Sequence, residues 1–164
     1  MHALTYYSSN KNKFRLRATI DHLPKTRSNA GDKVTLTNFE DDQTLQCGNH
    51  YDRSKVVAVN PRLFGVSDSD WINKYKDAEP NSIPWCGKQI RLTVNGGKYN
   101  KVFTIADTCQ PCAGKKCDGA PKCDYDNVID FATEQNVREI IKAITGENDD
   151  GLVNTNKVSW QILN

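Results

Sequence analysis

Alternation at every second residue is the commonest apolar pattern in this chain, and only one stretch follows the helical repeat. Lys33 to Phe39 alternates and predicts a half-buried strand. Val56-Val57-Ala58-Val59 is continuously apolar and predicts a buried strand, stopped by Asn60-Pro61. Gln89 to Val94 and Tyr99 to Ala106 alternate on either side of Asn95-Gly96-Gly97, the pattern of a β-hairpin. Leu4 to Tyr7 and Val158 to Leu163 predict short strands at the two ends, the second placing Trp160 in the core. Within 133–145, Val137, Ile140, Ile141 and Ile144 fall at helical spacing, with Thr133 as the expected cap and Gly146 as the stop. Residues 8–32 are polar and irregular, and 65–84 predicts a long loop carrying Trp71 and Tyr75, with Trp85 just beyond it. The pattern is that of a single, mostly β domain spanning 1–164.

The chain has 164 residues, enough to bury a core of its own. Its net charge is +2 and its lysines and arginines are interspersed with acids, so no basic tract points to nucleic acid. No apolar run approaches the roughly 18 residues of a spanning helix, so no membrane role is expected. Met1-His2-Ala3 leads directly into the first predicted strand, with no visible leader peptide.

Six cysteines change the picture. Cys109, Cys112, Cys117 and Cys123 follow C-x2-C-x4-C-x5-C, close to a zinc knuckle but without its histidine. Cys47 and Cys86, each followed by glycine, would then be left over. An even set pairs more economically as disulfides, in any of 15 complete connectivities, which implies a secreted, extracellular protein with no metal.

The order of motifs carries a resemblance. Thr5-Tyr6-Tyr7 is followed by Cys47-Gly48, Val57-Ala58-Val59-Asn60 and Cys86-Gly87-Lys88. Ile105-Ala106-Asp107-x-Cys109-x-x-Cys112, Ile129-Asp130-Phe131, a helix and Val158-Ser159-Trp160 complete it. This resembles the double-psi β-barrel of the expansin, barwin and rare-lipoprotein-A group, and is most similar to small single-domain, loosenin-type members. The resemblance implies a six-stranded double-psi β-barrel with one α-helix in the C-terminal half. Set against the family pattern, residues 8–46 read as a long N-terminal loop insertion.

In that group a shallow groove holds a threonine of the first strand, an aspartate after the fourth strand and an aspartate before the helix. The matching positions are Thr5, Asp107 and Asp130. Two partly buried carboxylates close together raise each other's pKa, so that one keeps a proton. The dipole of the following helix would favour the anion of Asp130. Related family 45 endoglucanases carry their catalytic base on the first strand, where Leu4 to Ser9 offers no carboxylate. The rare-lipoprotein-A transglycosylases match less well. The resemblance therefore implies a non-hydrolytic protein, without cofactor, that binds and loosens a cell-wall polysaccharide (cellulose, chitin or a peptidoglycan-like glycan). Tyr6, Tyr7, Trp71, Tyr75 and Trp85 are the candidates to stack sugar rings. Because the sequence stops at Asn164, without a second carbohydrate-binding domain, affinity for flat cellulose is expected to be weak. A monomer is expected. The alternative is a barwin-like inhibitor or effector that presents its loops to a secreted protease or another host protein.

Overall fold

The structure, a computed structural model, describes residues 30–31, 34–39, 44–94, 99–111, 123, 127–146 and 153–163. The expected strand at Leu4–Tyr7, the turn at Asn95-Gly96-Gly97, and Cys112 and Cys117 lie outside the described residues.

Among the described residues, eight strands form one sheet: β1 (Ala30–Gly31), β2 (Val34–Asn38), β3 (Val56–Val59), β4 (Gln89–Val94), β5 (Tyr99–Thr108), β6 (Val128–Phe131), β7 (Val153–Thr155) and β8 (Val158–Leu163). Their order is β1-β8-β4-β5-β3-β6-β2-β7. The run from β8 to β2 has six strands, the expected number, but it includes β6, which the sequence pattern does not pick out as a strand; β1 and β7 are fringes of 2 and 3 residues. β2 and β8, at the ends of that run, approach each other, so the sheet is curled. β2 runs parallel to β6, and β3 runs parallel to β5, around the antiparallel pair β3·β6.

The short strands near the middle are buried on both faces, which explains their composition. In β3, Val57 and Val59 face the main core with Ile129 and Phe131. Val56 packs with Leu45, Cys47, Ala106 and Ala132, and Ala58 with Cys109, Cys123 and Val128. β2 corrects the half-buried expectation, because Val34, Thr35, Leu36 and Thr37 are all buried. Its alternation separates an apolar core face from a hydroxyl face. This strand falls inside the range 8–46 and leads, within a few residues, to Cys47-Gly48.

The helix α1 spans Glu134–Thr145 and ends on Gly146 in the left-handed conformation. Val137, Ile140 and Ile141 bury its apolar side. Thr133 holds the N-cap position, but its hydroxyl makes no cap bond and accepts from Asn136 Nδ2 at 2.9 Å. Residues 65–84 are not a plain loop. Ser67 caps a turn at Asp68–Asp70 that continues into a π-helical turn at Trp71–Tyr75, and a 3-10 turn follows at Pro80–Ser82.

Candidate functional site

Ala58 of β3 is in register with Asp107 of β5 on one side and Asp130 of β6 on the other. Asp130 is in turn the partner of Thr37 on β2. Side chains in register on adjacent strands share a face, so Thr37, Asp130, Ala58 and Asp107 form a transverse row across four strands. The two aspartate backbones are two strand spacings apart, roughly 10 Å, with only a methyl group between them.

Each acid is held differently. Thr37 Oγ1 donates to Asp130 Oδ1, and Asp130 is only 3% exposed. Asp107 is half-buried, and its Oδ1 accepts from the backbone N–H of Gln46 at 3.0 Å and of Thr108 at 2.9 Å. Burial pushes the Asp107 carboxyl above its usual range, the two amides pull it back, and the nearby Asp130 charge pushes it up again. Asp130 is the third residue of a strand, precedes α1 by several residues, and is bonded by the Thr37 hydroxyl.

The disulfide Cys109–Cys123 lies over the row, with Cys109 Sγ 3.8 Å from Asp130 Oδ2. Both ends of this bridge are tied to the end of β3: Cys109 N–H donates to Val59 O at 3.0 Å, and Asn60 Nδ2 donates to Cys123 O. Two of the four clustered cysteines thus bond to each other and offer no thiolate to a metal. The second bridge, Cys47–Cys86, fastens the segment before β3 to the one before β4. The glycine after each of its cysteines is required by the backbone, with φ of +104° at Gly48 and +77° at Gly87.

The aromatic candidates separate. Trp71 is 2% exposed and Trp85 is 0% exposed, so neither has a free face for a sugar ring. They pack on each other, Trp85 also packs on Phe64, and Trp85 Nε1–H donates to Thr108 Oγ1 at 2.8 Å. Tyr75 is half-buried, edge-on to Trp85, and its carbonyl accepts from Gln46 Nε2 at 2.9 Å. Gln46 thereby ties the π-helical turn to the residue that binds Asp107, and Thr108 Oγ1 donates to its side-chain carbonyl. Tyr75 stands at the Asp107 end of the row. Thr5, Tyr6 and Tyr7 lie outside the described residues. Thr37 and Gln46 are not among the residues that the sequence pattern singles out.

The parallel pairs β2·β6 and β3·β5 are interlocked around one antiparallel pair, the strand pairing expected of a double-psi sheet. No family model matches the chain, and no curated protein does. Among solved structures it is similar to a papain inhibitor of Streptomyces, with 18% identity and a TM-score of 0.47 over 85% of this chain and 98% of that one. It is also similar to a point mutant of the Clavibacter michiganensis expansin in complex with cellohexaose, with 15% identity and a TM-score of 0.43 over 82% of this chain and 50% of that one.

The raised pKa of Asp107 has a thermodynamic consequence. An acid that holds its proton more tightly when folded stabilises the fold at low pH, and that contribution is lost as pH rises through and above 3.8. Asp107→Asn should therefore gain stability relative to the parent as pH is raised. The measurement is the difference between the two melting curves at successive pH values. A difference that is flat, or of opposite slope, would contradict the placement of this carboxyl.

Proposed function

We propose that this chain is a secreted, non-hydrolytic protein that binds cell-wall polysaccharide and loosens it at Asp107, the half-buried end of a row whose other members, Thr37, Asp130 and Ala58, are buried. The observation that carries this reading is the row itself: one hydroxyl and two carboxylates side by side on the sheet, separated by nothing larger than Ala58. The trio that the resemblance implies is Thr5, Asp107 and Asp130; Thr5 lies outside the described residues, and Thr37 is a different threonine, on β2, that bonds Asp130. A carboxyl that keeps its proton near a second carboxylate can both donate to and accept from polysaccharide hydroxyls. Such exchange separates glycan chains without breaking a glycosidic bond. Inversion at a sugar carbon would need a base with a water beside it, and β2, which supplies Thr37, carries no carboxylate. Tyr75, half-buried and edge-on to Trp85, is the aromatic we assign to stack a sugar ring at the Asp107 end. The two bridges among the described residues support an oxidising, extracellular location.

The test is filter-paper extension and dispersion of chitin-rich material by the purified chain, with reducing sugar assayed in parallel. Weakening without sugar release is expected. Steady sugar release that disappears in Asp130→Asn would instead mark a hydrolase.

One observation favours a second reading. Ile72 is 42% exposed on the π-helical turn, an apolar side chain on a projecting segment. A loop of this kind suits a protease-binding surface. Inhibition of a cysteine or serine protease that is lost in Ile72→Asp, without glycan binding, would put that reading first.

A further inference from the structure

A cleft of about 490 Å3 opens between β5, the first turns of α1 and the turn preceding β3. Ser54, Val102, Phe103, Thr133, Asn136 and Glu139 are among the residues that line it. It is separate from the acid row, since Val102 lies about 16 Å along β5 from Asp107. Its size is in the range of small-molecule sites.

Asn136 gives the cleft a specific chemistry. The residue is 6% exposed, and both amide hydrogens are used: Nδ2 donates to Ser54 O at 2.9 Å and to Thr133 Oγ1 at 2.9 Å. The Ser54 carbonyl fixes this orientation, because the flipped amide would set two acceptors against each other. Asn136 Oδ1 accepts from no donor among the described residues and is not sealed from solvent, in a side chain that lines the cleft. A hydrogen-bond donor on an occupant can take the place of water there. Val102, 40% exposed, supplies an apolar wall. The charges around the rim cancel in pairs: Lys101 bonds to Glu139, and Lys55 lies 3.5 Å from Asp52. A donor-bearing, uncharged ligand with an apolar face fits these three conditions.

We infer that this cleft is a second binding site, for a neutral sugar unit that donates a hydroxyl or acetamido hydrogen to Asn136 Oδ1 and lays its C–H face on Val102. The inference does not rest on the proposed function, because it uses none of the row residues. Its test is a titration of the full chain with cellohexaose and, separately, chitohexaose, followed by backbone amide resonances. Asn136, Thr133 and Phe103 report on the cleft, and Asp107 and Thr108 on the row. Saturable shifts at the first set are expected with at least one of the two sugars, and which sugar acts tells hydroxyl from acetamido donation. Val102→Glu, at an exposed strand position, should leave the fold intact and weaken the cleft response by at least about tenfold, through a carboxylate forced against the sugar's apolar face. Its row response should be unchanged. No shift at the cleft, shifts unaltered in Val102→Glu, or a stronger response to an anionic oligogalacturonide would each overturn the inference. Shifts confined to Asp107 and Thr108 would end it while leaving the proposed function standing.

Discussion

Asp130→Asn is expected to fold normally and to lose most of the weakening of cellulose or chitin-rich material. The substitution preserves shape, and the new Oδ1 still accepts from the Thr37 hydroxyl. What disappears is the charge beside Asp107. Without it, one of the two causes raising the Asp107 pKa is gone, and that carboxyl ionises at lower pH. The melting temperature should stay within a few degrees of the parent, since a buried charge has been neutralised without opening a cavity. Thr37→Ala removes a bond to a buried carboxylate, costing about 1.5–3 kcal/mol, and should reduce loosening more mildly. Extension of filter paper at several pH values is the measurement. Full activity in Asp130→Asn would show that the row is not the working site and would favour the Ile72 surface.

Trp85→Ala should produce the largest loss of stability. The indole is 0% exposed, touches the rings of Phe64, Trp71 and Tyr75, and donates to Thr108. Truncating so large a buried ring costs about 3–5 kcal/mol. That is a large share of the roughly 5–15 kcal/mol that holds a typical domain together. Trp85→Phe keeps most of the apolar bulk but loses the bond to Thr108, so its cost from that bond should be about 0.5–1.5 kcal/mol. Urea unfolding of the two variants separates packing from hydrogen bonding. A loss below about 1 kcal/mol in Trp85→Ala would contradict the burial described.

Much of this architecture is legible in the sequence. Periodicity locates Val56–Val59, Gln89–Val94, the strand from Tyr99, the helix from Glu134 and the closing strand around Trp160, because each has a local pattern. Asp107 and Asp130 stand out by their place in the motif order, and the structure sets them on either side of one alanine. Thr37 does not stand out, because alternation says which residues share a face but not which distant strand they meet. Its bond to Asp130 joins residues 93 apart in sequence. A trace was present in Thr37-Asn38-Phe39, a threonine followed by an aromatic shortly before Cys47-Gly48. Trp71 and Trp85 look like a sugar platform only until the covering of their faces is known. The π-helical turn that buries them has little periodic signature over so few residues, although Ser67 and the acids after it mark its start.

The parallel pairing of β2 with β6 also governs how the chain reaches this state. Neither strand can form its ladder until the intervening segments, which include β3, β4 and β5, have emerged and closed a very long loop. Domains dominated by such non-local pairing fold in milliseconds to seconds rather than microseconds. The part of the sheet that β6 joins, from β3 across to β2, therefore forms only after Val128 and the residues that follow it have emerged. The row is completed at that point, when Asp130 of β6 joins Thr37 to the Ala58–Asp107 pair. A nascent or truncated chain ending before Val128 would lack β6, leaving β2 and β3 without the strand that joins them and exposed to pairing with other chains.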